Sequence, residues 1–307
     1  MAKYFFRRLV YSLILLVLTS VFIFTLTRAR GDPRVMYLID AYTTQERWDA
    51  WGREMGLDKP IVIQYLIWAG KAVTGDFGLS QATRVGAWQM VWERLPATLQ
   101  LSGTAYVLVI LLSLPLGVMS AVRRGSVVDV VSRSFAAIGQ ATPVFWVGLM
   151  MILVFSVFLG WLPTSGRSEG LSSLVLPALT LASGSIAASL RLTRTSMLEV
   201  LDSEYIKFAR AKGISNRMVI WKHALRNSLL VPLTYFGLLF AAFMTGTVVV
   251  ETIFAWPGVG NLAIQSVFNN DFPVVSATVI FFVAMYSAVN LGVDLLYAVV
   301  DPRIRYD

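Results

Sequence analysis

Six long apolar runs divide this chain, and no other feature of the sequence restricts its fold so strongly. They are Leu9 to Thr27, Ala97 to Val122, Phe135 to Leu162, Leu174 to Leu190, Leu229 to Val250 and Val274 to Val300. A helix needs about 20 mostly apolar residues to cross the roughly 30 Å hydrocarbon layer of a bilayer. Within that layer every backbone N–H and C=O must be satisfied by the protein itself, which a helix does along its own length. Of the 307 residues, 56% are hydrophobic and only 14% are charged, against roughly 25% charged in an ordinary soluble domain. No soluble core could bury so much apolar sequence. The expected fold is therefore an all-α integral membrane protein with about six transmembrane helices. Pro115, Pro143 and Pro177 lie within or beside the runs, where neighbouring helices can re-satisfy the carbonyls a proline frees. The fourth run is rich in Ala, Ser and Gly, including Ala182, Ser183, Gly184, Ser185, Ala187 and Ala188. Such residues let helix backbones approach closely.

Lysine and arginine mark the cytoplasmic side of a membrane protein. Lys3, Arg7 and Arg8 precede the first run, Arg123, Arg124 and Arg133 flank the loop between the second and third, and Arg303 and Arg305 follow the sixth. Eight basic residues between Arg191 and Arg226 face only Glu199, Asp202 and Glu204. The loop from Glu251 to Pro273 has no Lys or Arg. Six spans with both termini cytoplasmic fit every short loop. The loop after the first span carries nine basic residues, but long loops cross regardless of charge. The first run resembles a secretory signal, with a weak small-x-small site at Thr27-Arg28-Ala29. Its 19-residue apolar core exceeds the usual 7 to 15, so it reads as a retained span. In the long outer loop, Thr43-Thr44-Gln45-Glu46 matches a helix capping box, opening a helix to about Met55. A second helix follows Asp58-Lys59-Pro60, with Tyr65 and Trp68 suited to headgroup depth.

Several chemistries are excluded. There is no cysteine, hence no disulfide, thiol catalysis or cysteine-ligated metal. His223 is the only histidine, which removes histidine-cluster metal sites and reads as a helix-packing residue. The net charge of +8 is spread between apolar runs rather than over one soluble face, so nucleic acid is not the expected partner. Gly166-Arg167-Ser168-Glu169-Gly170 matches the hydrolase nucleophile pattern by letters, but lacks the strand-turn-helix setting and a histidine partner; it reads as a turn. No phosphate-loop motif occurs, and Gly70-Lys71 lacks both the first glycine and the following Ser or Thr. Ion-coupled carriers place ionisable side chains inside the bilayer. Here only Asp294 falls within an apolar run, near its cytoplasmic end. Gln100, Gln140 and Asn290 are the other polar residues of note, read as interhelical hydrogen-bonding groups.

The segment from Met197 to Asn227, MLEVLDSEYIKFARAKGISNRMVIWKHALRN, is the most informative. Helical periodicity runs from Ser203 to Lys212, with Tyr205, Phe208, Ala209 and Ala211 as its apolar or small positions and Ser203 as a candidate cap. Gly213 stands where helices commonly stop in a left-handed conformation. A second helix follows from about Asn216 to Arg226. Two short helices joined by a glycine turn form a knob suited to a partner's groove.

This loop resembles the signature of the binding-protein-dependent ABC importer permeases, in the oligopeptide, dipeptide and nickel branch, first permease type. The general pattern ends in Leu-Pro; here His223-Ala224-Leu225-Arg226-Asn227 follows the habit of the peptide branch. Further stretches resemble the same branch in order along the chain. Near the start they include Gly56-Leu57-Asp58-Lys59-Pro60, Gly75-Asp76-Phe77-Gly78 and Glu93-Arg94-Leu95-Pro96-Ala97-Thr98. Thr142-Pro143-Val144-Phe145-Trp146 and Gly160-Trp161-Leu162-Pro163 follow. Towards the end stand Val250-Glu251-Thr252-Ile253-Phe254, Trp256-Pro257-Gly258-Val259-Gly260, Asp271-Phe272-Pro273 and Asp301-Pro302-Arg303-Ile304-Arg305.

The resemblance implies a type I ABC importer permease architecture in a bacterial or archaeal plasma (inner) membrane. It implies a homologous permease subunit beside this chain, two ATPase subunits below and an extracytoplasmic solute-binding protein outside. Residues 1–27 would form the first span, 28–96 the outer loop with short helices, and 97–307 the five-helix core with a coupling loop at 191–227. Contact with the ATPase is implied for Glu204, Tyr205, Lys207, Phe208, Ala209, Arg210, Ala211, Lys212 and Gly213. No cofactor is expected in this chain; ATP and Mg would act in the partner subunits, so the chain is no enzyme. Trp256, Pro257 and Gly258 are expected to form a turn at the outer mouth, with contact to solute or docking protein left open. The alternative is a secondary, ion-coupled carrier working without ATPases.

Overall fold

The computed structural model describes residues 2–29, 44–54, 56–245 and 247–300, and among them secondary structure is helical, with one isolated bridge between Leu79 and Gly86. Thr43 of the expected capping box, Met55 and the tail 301–307 lie outside the described residues. The elements are α1 (Ala2–Ala29), α2 (Gln45–Glu54), α3 (Ile61–Val73), α4 (Ala87–Val122) and α5 (Val127–Ala141). Next come α6 (Val144–Phe158), α7 (Leu171–Leu201), α8 (Glu204–Ala211) and α9 (Asn216–Ser228). The chain continues through α10 (Leu230–Thr245), α11 (Val248–Ile253), α12 (Val259–Phe268) and α13 (Phe272–Val300).

Four helices, α1, α4, α7 and α13, are each long and apolar enough to cross a bilayer unbroken. The expected third span is a bent pair, α5 with α6, turned by 108°; the expected fifth, Leu229 to Val250, falls on α10, which turns by 52° from α9 and stops at Thr245. The third apolar run therefore does not fold as one straight helix. Its break falls at Thr142-Pro143, where Thr142 takes φ −91°, ψ 126° and Pro143 φ −62°, ψ 137°. A proline ring crowds the residue before it out of the helical region and supplies no N–H for the next turn. The Thr142 hydroxyl donates to the Ile138 carbonyl at 2.7 Å, which satisfies part of the exposed helix end. Pro177, by contrast, sits inside an unbroken α7.

Two helices outrun their apolar stretches. α4 starts ten residues before Ala97 because Ala87, Val91 and Leu95, spaced by four, pack into a core with Phe77, Val259, Leu262, Val274, Ala277 and Phe281. α7 continues to Leu201 because Leu190, Thr193 and Met197 keep a buried stripe at helical spacing while Arg191 and Glu199 point outward.

The chain divides into two compact units, Met1–Ala97 with Pro257–Asp307, and Thr98–Trp256. In the first, α1 packs along α13, and Arg8 pairs with Asp294 at 3.0 Å. The acid inside the sixth run thus has a basic partner. α3 packs on α1 through Ser20 and the Tyr65 hydroxyl, 2.8 Å apart, and through Phe24 against Tyr65 and Trp68. Ile61, Val62 and Leu66 on α3 stay exposed, an apolar surface for lipid to cover. The turn before α4 is tied to the start of α13 by the Ser80 hydroxyl, which donates to the buried Asp271 carboxylate.

In the second unit α7 packs against α5, α6 and α10. The small residues expected to bring helices close are at the contacts. A Cβ added at Gly139 on α5 would stand 2.8 Å from the Ala187 Cβ on α7, and one at Gly117 on α4 would stand 2.7 Å from the Thr193 Cβ. Ser113 and Ser189 bond across α4 and α7 at 2.9 Å. Gly139→Ala is expected to lower stability by about 1–3 kcal/mol through overpacking, whereas Gly103→Ala, which meets nothing within 4 Å, is expected to raise it by about 0.5–1 kcal/mol. Thermal unfolding of the two purified variants compares them; equal shifts would contradict the close α5–α7 approach.

Candidate functional site

α8 is an eight-residue helix, too short to persist alone in water. Tertiary contacts hold it. Ile206 and Ala209, three apart, are buried against Val118, Ala121, Met197, Val219, Ile220 and Ala224. The Tyr205 hydroxyl lies 2.7 Å from His223 Nδ1 on α9, and the two rings meet edge to face. The helix stops where the sequence indicates. Gly213 takes φ +77°, its N–H donates to the Arg210 carbonyl at 2.9 Å, and the left-handed turn needs no Cβ. Ser203 precedes the helix but does not cap it: its hydroxyl turns back and donates to the Val200 carbonyl at 2.6 Å.

The opposite face of the knob is open. Phe208 is 62% exposed and Tyr205 49%, with Met218 and Trp221 of α9 also exposed. Lys212 stands over the Phe208 ring, 4.6 Å from its centroid, and Lys207 pairs with Glu204 at 2.7 Å. Of the residues anticipated for partner contact, Glu204, Tyr205, Lys207, Phe208, Arg210, Ala211, Lys212 and Gly213 are exposed, and Ala209 is buried. Two aromatics flanked by cations on a rigid protrusion form a surface that an acidic, apolar-lined cleft could take.

Beneath this knob lies a polar network that sequence reasoning missed. Asp129, buried near the start of α5, receives Arg194 Nε at 2.7 Å and Nη2 at 3.1 Å. The Ser120 hydroxyl donates to it at 2.7 Å and the Gly125 N–H at 3.0 Å, while Arg133 stands 3.8 Å away. The network joins the end of α4, the basic turn, α5 and α7 close to where α7 leads into α8. Only the charge of Arg194 registers in a count of basic loops; its partner lies 65 positions away.

Trp256, Pro257 and Gly258 link α11 to α12 just after a turn at Phe254-Ala255, and the structure packs this link inward. Trp256 is fully buried, its N–H donates to the Glu251 carbonyl at 2.8 Å, and the Arg167 guanidinium lies 5.7 Å from its ring centroid. The Gly166 N–H donates to the Phe254 carbonyl at 2.8 Å, so the Gly166–Gly170 segment is a turn braced on this loop. Pro257 is half-buried and Gly258 buried. Glu251 is buried too, and its Oε1 accepts from the Thr98 and Thr247 hydroxyls at 2.8 Å each. The sequence signal for it was faint: an acid four residues after a threonine in an apolar stretch. Among the described residues, no group of three or more His, Asp or Glu side chains could hold a metal ion.

Comparison with known proteins adds the family. Residues 113–306 match the family described as binding-protein-dependent transport system inner membrane component, and residues 1–102 match its N-terminal companion. The chain is 40% identical to an oligopeptide transport system permease protein of Bacillus subtilis, over 100% of both chains. It is 36% identical to a dipeptide transport system permease protein of Escherichia coli, over 90% of each. The fold is similar to that of the MetNI methionine ABC transporter in an inward-facing form, with a TM-score of 0.57, 17% identity, and coverage of 69% of this chain and 97% of that one. These relationships favour an ATP-driven importer permease over an ion-coupled carrier. With its apolar helices, this chain is a multi-pass membrane protein belonging to the binding-protein-dependent transport system inner membrane component family.

Proposed function

We propose that this permease passes peptides through the inner membrane and receives the work of ATP hydrolysis through α8. The observation that supports the docking role most directly is the two-faced build of that helix: Ile206 and Ala209 anchor it while Tyr205 and Phe208 stand free. The peptide substrate is read from the oligopeptide and dipeptide transport permeases that this chain resembles along its length. Glu204 to Gly213 sit in a cleft of an ATPase subunit that binds ATP and Mg, with a second, homologous permease alongside and a solute-binding protein outside. Both termini are cytoplasmic, residues 28–96 are extracytoplasmic, and 97–307 form the permease core. In this reading the link at Trp256, Pro257 and Gly258 shapes the outer mouth through its backbone, since the indole is buried. Closure of the ATPases moves α8 as a rigid body, and the spans switch between two packed states biased by ATP.

The test is ATP-driven peptide uptake by the reconstituted complex. Gly213 has open space around it and φ +77°, so Gly213→Val preserves packing but adds backbone strain of about 1–3 kcal/mol. Uptake is expected to fall roughly tenfold with insertion intact, while Gly213→Asn, tolerant of left-handed backbone, stays near the parent. Normal uptake by Gly213→Val would remove the coupling role from this turn. Purification of the chain without any phosphate-loop subunit would remove the ATPase partnership itself.

A further inference from the structure

α5 and α7 enclose a cavity of about 250 Å³ whose lining includes Arg133, Gln140, Arg191, Arg194 and Thr195. Three arginines line it, Arg133 and Arg191 exposed at its mouth and Arg194 deeper, and one carboxylate stands among them. Asp129 is held by Arg194 through both oxygens, and Arg133 reaches it only at 3.8 Å with more than half of its own side chain exposed. Among the described residues the Arg191 guanidinium has no hydrogen bond or ion pair. The cavity is therefore cationic by about two charges, in helices that belong to a membrane-spanning pair and a membrane-spanning helix. An anion would complement that charge.

Three observations identify the kind of anion. The guanidinium fork matches phosphate oxygens two at a time. The cavity borders Leu190 to Thr195 in the last third of α7, the end that leads into α8, and the second half of α5, and basic pockets between helices at the cytoplasmic face bind anionic headgroups. Val130, one turn before Arg133 on the neighbouring ridge of α5, is exposed, an apolar foothold for an acyl chain. Size argues against a peptide lodged inside: 250 Å³ falls below the roughly 300–1,000 Å³ of pockets that enclose drug-sized ligands, yet suffices for a phosphodiester.

We propose that this cavity binds the phosphate of an anionic phospholipid of the phosphatidylglycerol class, gripped by Arg133 and Arg191, with an acyl chain against Val130. The lipid would brace α5 against α7 just above the docking helix. The inference rests on the membrane orientation proposed above, in which this end of α7 is cytoplasmic.

Native mass spectrometry of the complete complex, exchanged into neutral detergent, tests it. Wild-type and Arg133→Gln/Arg191→Gln complexes are titrated with phosphatidylglycerol and, separately, with phosphatidylcholine. Phosphatidylglycerol is expected to be retained about tenfold better than phosphatidylcholine, and the double variant to lose that margin. Arg191→Lys, which keeps the charge, is expected to retain most of it, separating electrostatics from misfolding. Equal retention of the two lipids, or undiminished phosphatidylglycerol on the double variant, overturns the proposal. Displacement by excess inorganic phosphate would identify a free-phosphate site, and displacement by a dipeptide a substrate site; either also overturns it. Co-purification of ATPase subunits with the wild-type chain is read from the same spectra. Loss of the lipid signal alone therefore leaves the docking reading standing.

Discussion

Replacing Asp129 with alanine is expected to destabilise the second unit by about 3–5 kcal/mol, the usual result of removing one partner from a buried ion pair. The Arg194 side chain is only 17% exposed, so without Asp129 its guanidinium keeps one neutral hydroxyl contact, Ser120 at 3.1 Å. Ser120 Oγ and the Gly125 N–H lose their acceptor in the same step. In thermal unfolding of the purified chain the midpoint should drop by roughly 10 °C. The pair variant Asp129→Leu/Arg194→Met should recover most of that loss, because an apolar pair of similar size avoids the uncompensated charge. Hydrogen exchange in α8 should quicken in Asp129→Ala, since α7 carries Arg194 and leads directly into α8. A midpoint within a degree or two of the parent would show that the network contributes little.

Truncating Phe208 carries the second large effect. Its ring is 62% exposed on a helix whose other face is anchored, the situation in which an aromatic side chain dominates an interface. Loss of such an anchor typically weakens association by about 2 kcal/mol or more, or about 30-fold. Titration of the purified ATPase subunit against the detergent-solubilised permease should show that weakening for Phe208→Ala. Lys207→Ala should change binding far less, because its pair with Glu204 is solvent-exposed and such pairs contribute about 1 kcal/mol at most. Unaltered binding by Phe208→Ala would move the docking surface away from α8, with Met218 and Trp221 the next exposed residues to truncate.

The docking helix shows how far local reasoning reaches. Its length and its stop at Gly213 are legible because a left-handed glycine is a local backbone requirement. Its orientation is not. Tyr205 with Phe208, and Ile206 with Ala209, are both apolar pairs spaced by three, and a helical wheel favours neither face. Sequence reading selected Tyr205, Phe208, Ala209 and Ala211 as the apolar or small positions; the structure buries Ile206 with Ala209 and leaves both aromatics and Ala211 outside. Ser203 illustrates the same limit at the cap, since its hydroxyl has two acceptable partners and takes the Val200 carbonyl. His223 reads as a packing residue, and that it packs by bonding Tyr205, 18 positions away, is invisible without the fold.

The apolar runs, the basic loops and the ordered family motifs determined from sequence alone that this is a helical membrane permease, because transfer from water to lipid is summed residue by residue along the chain. Tertiary structure decided what depends on which faces meet. The turn of 108° between α5 and α6 needed Thr142 to leave the helical region at Pro143, whereas Pro177 was absorbed inside α7. Asp129, Glu251 and Asp294 each take one partner from far along the chain, 65, 153 and 286 positions away. A buried polar group takes whichever complement packing brings within about 3 Å, and chain order does not encode that distance.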